Sequence, residues 1–159
     1  MHKTIIIGLG NTLMTDDGIG VHVVRRLAET AEPRPDIELV EGGTAGMKLM
    51  YLWEGFQSAV LIDAALMGEE PGTIRRFRPE DVKAGIVVSG FSLHEGDLLS
   101  VLDLSRRLGN CPAEVTLFGV QPAEVGPGLK PTALLAARIG DYAALVRQFL
   151  GDEDVTTDG

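Results

Sequence analysis

The chain has 159 residues, of which 45% are hydrophobic and 23% are charged. This composition predicts one folded domain with its own core and excludes a disordered chain. The net charge of −9 argues against nucleic-acid binding, and the single cysteine excludes an intrachain disulfide or a multi-cysteine metal site. No apolar run reaches about 18 residues, and no signal-peptide pattern is present, so we expect a cytoplasmic protein without membrane contact.

Short apolar runs predict five strands, separated by segments with helical periodicity. The predicted strands are 3–8, 37–40, 58–63, 73–78 and 115–119. The predicted helices are 18–31, 47–55, 94–108 (starting at 94 or 95) and 131–150, and 79–93 is expected to be irregular. The third strand has no polar face, which indicates a central strand, whereas the fourth alternates apolar residues with arginines, as edge strands do.

The alternation of strands and helices predicts an α/β fold with helices on both faces of one sheet. We expect a single domain over 1–150, followed by an acidic tail over 151–159 that is mobile and solvated. In such folds ligands bind beyond the carboxyl ends of the strands. The polar residues at those ends are therefore the candidates for function.

The loop after the first strand has two competing interpretations. It reads Gly-Leu-Gly-Asn-Thr-Leu-Met-Thr-Asp-Asp-Gly-Ile-Gly over residues 8–20. Gly8 and Gly10 match the first two glycines of a dinucleotide-binding fingerprint, but Leu13 stands where the third belongs. Asp16 and Asp17 would place two anions beside a bound pyrophosphate, which is unfavourable. One of these two aspartates is expected to cap the helix or to lie in its first turn. A nucleotide-binding module remains an alternative.

Three side chains are predicted to converge at the carboxyl edge of the sheet. Asp17 follows the first strand, and Asp63 closes the most hydrophobic strand, where a carboxylate is costly unless it is paired or ligating. His94 begins a helix that precedes a parallel strand, so this helix start lies at the same edge. Two carboxylates and one imidazole suit zinc, nickel or manganese and leave coordination positions open for catalysis. His2 and His22 have no such neighbours and are interpreted as ordinary.

Five short motifs accompany the loop at 8–20: Glu-Gly-Gly-Thr-Ala-Gly at 41–46, Ile-Asp-Ala at 62–64, Pro-Gly-Thr at 71–73, Ser-Leu-His-Glu at 92–95 and Leu-Phe-Gly-Val-Gln-Pro at 117–122. Together with the loop, they resemble the motifs of the nickel–iron hydrogenase maturation endopeptidases. They occur in the family's order over nearly the whole chain. The resemblance implies a three-layer α/β/α fold with a mixed five-stranded sheet in the order 2-1-3-5-4, with strand 4 antiparallel.

The same resemblance implies an activity of the aspartic endopeptidase type. The family removes a C-terminal peptide from the precursor of the hydrogenase large subunit after nickel insertion. Its metal-contacting residues match Asp17, Asp63 and His94, which are also the expected catalytic residues. The first is glutamate in some members, and Asp16 matches the neighbouring acid. The nickel is supplied by the substrate, so no tightly bound resident metal is expected, and either aspartate is able to accept a proton.

The glycine loop is expected to contact the precursor. Its residues are Gly42, Gly43, Thr44, Ala45 and Gly46, and glycines allow another chain to approach the backbone closely. The alternative is a simple tight turn before a helix. The expected partner is the large-subunit precursor, and we expect a monomer. A nickel-binding hydrogenase chaperone that does not cut is the first alternative function.

Overall fold

The computed structural model describes residues 3–83 and 95–151, and its core is one five-stranded sheet. The strands are β1 (Thr4–Leu9), β2 (Ile37–Gly43), β3 (Ser58–Ala64), β4 (Ile74–Phe77) and β5 (Glu114–Val120). Their order is β2-β1-β3-β5-β4, with β4 antiparallel to β5 and all other pairs parallel. The predicted topology is confirmed. Of the tail expected at 151–159, residues 152–159 lie outside the described residues.

The sequence pattern of each strand matches its place in the sheet. All seven residues of β3 are buried, as expected for the central strand. In β4, Arg75 and Arg76 are exposed while Phe77 is buried, which fits an edge strand with one solvated side. The apolar β3 run and the arginine alternation of β4 were therefore interpreted correctly.

Helices cover both faces of the sheet. They are α1 (Ile19–Thr30), α2 (Leu49–Leu52), α3 (Pro79–Lys83), α4 (Glu95–Leu108), α5 (Ala133–Ala136) and α6 (Ile139–Phe149). Successive strand residues point to opposite faces. Thus Ile5 and Ile7 pack in a core that includes residues of α2 and α4, whereas Ile6 packs in a second core with α1, α5 and α6.

Two helical predictions were wrong. The segment 79–93 was expected to be irregular, but its first part, Pro79–Lys83, is helical, and the Asp81 carboxylate accepts the Arg78 N–H at its start. Residues 84–93 lie outside the described residues. The helix predicted over 131–150 is two helices, interrupted at residues 137–138. The Arg138 N–H donates to the Leu135 carbonyl in a tighter turn there. Periodicity missed the interruption because buried Leu135 and Tyr142 on either side of it face the same core.

Strand β2 is longer than predicted. The expected strand ended at residue 40, but pairing with β1 continues to Gly43, and the Gly10 N–H donates to the Gly43 carbonyl. A bulge accommodates the extra residue, since Gly8 pairs with Glu41 and Leu9 pairs with Gly43. The sequence did not reveal this extension, because the end of β2 is polar and rich in glycine. Strand pairing continues there because it needs only backbone groups.

Gly20 allows α1 to begin directly over the carboxyl edge of the sheet. A Cβ at this position would lie 1.9 Å from the Ile62 carbonyl oxygen and 2.5 Å from that of Leu9. Any side chain would push the helix away from β1 and β3. The close approach places the turn before α1 against the end of β3. None of the helices among the described residues has the length and apolar character needed to cross a membrane.

Candidate functional site

Asp17 lies in a short 3₁₀ turn, Thr15–Gly18, between β1 and α1. Its carboxylate Oδ2 accepts the Asn11 N–H at 2.9 Å, which ties the side chain to the preceding loop. A Cβ on Gly10 would lie 1.8 Å from the Asp17 carbonyl oxygen, and Gly10 has a φ of +119°. The loop therefore requires glycine at position 10, and its backbone holds Asp17 in place.

Asp63 lies at the carboxyl end of β3 and is 1% exposed. Its Oδ1 accepts the Ala64 N–H at 2.8 Å. The turn that carries Asp17 contacts β3, so the two aspartates lie on adjoining elements at one edge of the sheet. A buried carboxylate at a strand end is costly unless other groups compensate it, which marks Asp63 as a candidate functional residue.

His94, the third predicted member, lies outside the described residues. The helix after it, α4, begins at Glu95 and leads back to the amino end of β5. At its far end the Trp53 indole N–H donates to the Ser105 hydroxyl, and Trp53 precedes the amino end of β3. The amino end of α4 therefore lies at the carboxyl edge of the sheet, which is also the edge that carries Asp17 and Asp63. Within 3–83 and 95–151, no three acidic, histidine or cysteine side chains form a metal-binding group.

Asp16 has a role that the sequence did not reveal. It was expected, like Asp17, to be a candidate for the helix cap or for an acid in the first turn, but α1 is preceded by Gly18, has no side-chain cap and has no acid in its first turn. Asp16 is instead completely buried, and its carboxylate accepts hydrogen bonds from the segment 123–132. That segment is more than 100 residues away in sequence and carries no catalytic side-chain pattern, so only the fold brings it to the edge.

The glycine loop is placed at the same edge, but only part of it is a loop. Gly42 and Gly43 belong to β2, and Gly46 begins a 3₁₀ turn, Gly46–Lys48. Gly43 and Gly46 have φ values of +54° and +53°, with open space where a Cβ would point. Thr44 is exposed, whereas Ala45 is 8% exposed and packs in the core. The exposed groups of this glycine loop are therefore backbone atoms and the Thr44 side chain.

His22 on α1 is expected to make the stability of the fold depend on pH. Its Nε2 is buried without a hydrogen-bond partner among the described residues. Burial lowers the pKa of His22 below its ordinary value of 6.5, and Arg25 lowers it further, while Glu41 partly opposes them. Between the ordinary and the lowered pKa, the unfolded state binds more protons than the folded state.

We therefore expect the free energy of unfolding to decrease as the pH falls below about 6.5 and to level off below the lowered pKa. Replacement of His22 with Gln should remove this component. Urea denaturation of both proteins between pH 8 and pH 5 measures it as a stability difference that changes with pH. Parallel curves for the wild type and His22→Gln across this range would contradict the assignment.

Comparisons with known proteins identify the family. The hydrogenase maturation protease family model matches residues 21–146, which contain Asp63 and position 94, while Asp17 precedes the match. The hydrogenase 2 maturation protease of Escherichia coli is 32% identical over 151 residues, which cover 92% of both chains. The hydrogenase expression/formation protein HupD of Rhodobacter capsulatus is 35% identical over 132 residues. That match covers 81% of this chain, which spans 63% of the relative's length.

Structural comparison agrees with the sequence matches. The solved structure of the hydrogenase maturating endopeptidase HybD from E. coli superimposes with a TM-score of 0.83 at 31% identity. The superposition covers 95% of this chain and 93% of that one. The expected family resemblance is confirmed at the level of sequence and of fold. The chain therefore belongs to the hydrogenase maturation protease family.

Proposed function

We propose that this protein is an endopeptidase that removes a C-terminal peptide from the nickel-loaded precursor of a nickel–iron hydrogenase large subunit. The observation that carries the proposal is the pair of aspartates, Asp17 and Asp63, on adjoining elements at the carboxyl edge of the sheet. Membership of the maturation protease family supports the class of reaction and substrate.

The donor set fits a nickel ion that arrives with the substrate. Asp17 and Asp63 each accept a backbone N–H, from Asn11 and Ala64 respectively, and such bonds orient a carboxylate toward a metal. His94 would add an imidazole nitrogen, and this mixture of ligands suits nickel. Because three protein ligands leave positions open, the ion can keep its bonds to the precursor while it docks.

The chemistry then requires activation of the scissile peptide bond. The docked ion either polarises the scissile carbonyl or lowers the pKa of an attacking water. The water oxygen would add to the carbonyl carbon while Asp17 or Asp63 accepts its proton. The C–N bond then breaks, and the leaving amine takes up that proton. The protein would hold the scissile peptide bond beside the two aspartates. Because docking uses the nickel ion, a precursor without nickel would not be bound in this way.

The glycine loop is proposed to orient the precursor tail. Gly43 and Gly46 have open space beside them, so a second chain can approach the backbone closely there. Thr44 between them is exposed and adds a hydroxyl group. Because β2 ends beside β1, which leads into the turn holding Asp17, a tail bound along this loop passes toward the two aspartates.

Two other functions remain as alternatives. A nickel-binding chaperone would bind the same precursor without cutting it. A nucleotide-binding module would use the loop after β1, but the turn holding Asp16 and Asp17 separates this loop from α1, and both acids disfavour a phosphate there. The monomeric state and the cytoplasmic location stay predictions.

Incubation with nickel-loaded precursor tests the proposal. We expect mass spectrometry to show the loss of one short C-terminal peptide from the precursor, and no change in a large subunit that already lacks the extension. Stable binding without any loss of mass would favour the chaperone. Thermal stabilisation by a dinucleotide, together with intact precursor, would favour the nucleotide-binding module.

A further inference from the structure

We infer that Asp16 is a positioning residue for Asp17 and that it acts by tying the segment 123–132 to the turn before α1. The inference rests on the proposed function, which assigns Asp17 to the docked nickel. Asp16 itself is completely buried, so it cannot contact the substrate in this conformation. Its effect must be transmitted through the backbone to its neighbour.

Both carboxylate oxygens of Asp16 are engaged. Oδ2 accepts the backbone N–H groups of Ala123 and Glu124, at 2.9 and 3.1 Å. Oδ1 accepts the Thr132 N–H at 2.7 Å. The Thr132 hydroxyl lies 3.0 Å from Oδ1 and 2.9 Å from Oδ2 and donates to the carboxylate. These three amide donors and one hydroxyl donor compensate for the free-energy cost of burying the Asp16 carboxylate.

Thr15 extends this attachment. Its N–H donates to the Gly128 carbonyl at 3.0 Å, its hydroxyl donates to the Glu124 carbonyl at 2.8 Å, and the Gly126 N–H donates to the same hydroxyl at 3.1 Å. Thr15 also has a φ of +46°, which is unfavourable for a β-branched residue. Such a conformation persists only where the surroundings determine it. The segment 123–132 provides those surroundings.

On its other side, Asp17 is held by the loop after β1. The Asn11 N–H donates to the Asp17 carboxylate, and Gly10 lies against the Asp17 carbonyl. Asp17 therefore sits between two anchors, the loop at 10–11 and the Asp16 attachment one peptide bond away. Release of the second anchor should allow the turn to move and should misplace the Asp17 carboxylate at the edge of the sheet.

Asp16→Asn tests the inference because an amide cannot replace this carboxylate. In either orientation, its NH₂ group faces at least one backbone N–H, that of Thr132 or those of Ala123 and Glu124. Thr132→Val is a milder variant that removes only the hydroxyl donor. Ser105→Ala is the matched control, since Ser105 is also completely buried and accepts the Trp53 N–H, but on α4 toward the opposite edge.

Two measurements are made well below the melting temperature of every variant. The first is hydrogen exchange of the Asn11 amide, which reports on its bond to Asp17 without substrate. We expect faster exchange in Asp16→Asn and unchanged exchange in Ser105→Ala. The second is kcat with nickel-loaded precursor, which should fall about 10–100-fold in Asp16→Asn, less in Thr132→Val and not in Ser105→Ala.

A purely structural role predicts a different result. In that case, Asp16→Asn would lower the melting temperature as Ser105→Ala does, with Asn11 exchange and kcat both unchanged, and the inference would be overturned. Failure of the wild type to cut the precursor would instead refute the proposed function. The exchange of the Asn11 amide would still decide whether Asp16 positions Asp17.

Discussion

Enzyme that has been treated with a chelator, and then freed of it, is expected to cleave nickel-loaded precursor and to leave nickel-free precursor intact. The physical reason is that Asp17, Asp63 and His94 lie on three separate segments, and no His-Glu-x-x-His helix preorganises them. Such a set holds a lone ion less firmly than a resident catalytic zinc is held, and in the proposed function the precursor brings the ion. Enzyme purified without added metal should contain little of it.

Metal analysis of the purified enzyme, followed by mass spectrometry of the precursor, provides the measurement. The control is the same chelator left in the reaction, which competes for accessible nickel on the precursor. One tightly held zinc per enzyme, combined with cleavage of metal-free precursor, would show that the substrate-nickel mechanism is wrong. The family assignment would be unaffected by that result.

Asp17→Asn and Asp63→Asn are each expected to abolish processing while the fold survives. An amide has nearly the same shape and keeps an oxygen for the Asn11 or Ala64 N–H, but it is a much poorer metal ligand and proton acceptor. If each carboxylate contributes about 4 kcal/mol to the transition state, kcat/KM falls about 10³-fold. His94→Ala should lose activity even when nickel-loaded precursor is in excess.

Asp141→Asn is the matched control for these variants. It makes the same chemical change and removes the same charge from an exposed position in the first turn of α6. Circular dichroism and melting temperature establish that each variant is folded, and the rate of peptide release gives kcat/KM. Wild-type rates in either Asp17→Asn or Asp63→Asn would remove that residue from the proposed site.

Asp16 and Asp17 illustrate why adjacent identical residues need a structure to separate them. Position in the sequence suggested a helix cap or first-turn acid for one of them, with a cost of about 1–2 kcal/mol on replacement. The structure instead buries Asp16 among donors from 123–132, while Asp17 remains partly exposed and bonded to Asn11. Asp16→Asn is therefore expected to lower the free energy of unfolding by more than the loss of a helix cap does. Its loss of activity should be smaller than that of Asp17→Asn.

The sequence by itself determined the class of fold and the positions of its main strands. The apolar run of β3 indicated a central strand, and the arginine alternation of Ile74–Phe77 indicated an edge, because burial on two faces or on one imposes different patterns. Chain direction placed Asp17 and Asp63 at one edge, since parallel strands share their carboxyl ends. The strand order followed from the family resemblance rather than from these patterns.

Tertiary structure decided the features that depend on backbone groups or on distant partners. Strand β2 continues through Gly42 and Gly43 because a sheet ladder needs no side chains, and the interruption at residues 137–138 does not change which face is apolar. The attachment of Asp16 to Thr132 joins residues 116 positions apart through amide donors that every residue carries. Local sequence patterns do not predict such hydrogen bonds, because the tertiary fold determines which backbone amides lie beside a buried carboxylate.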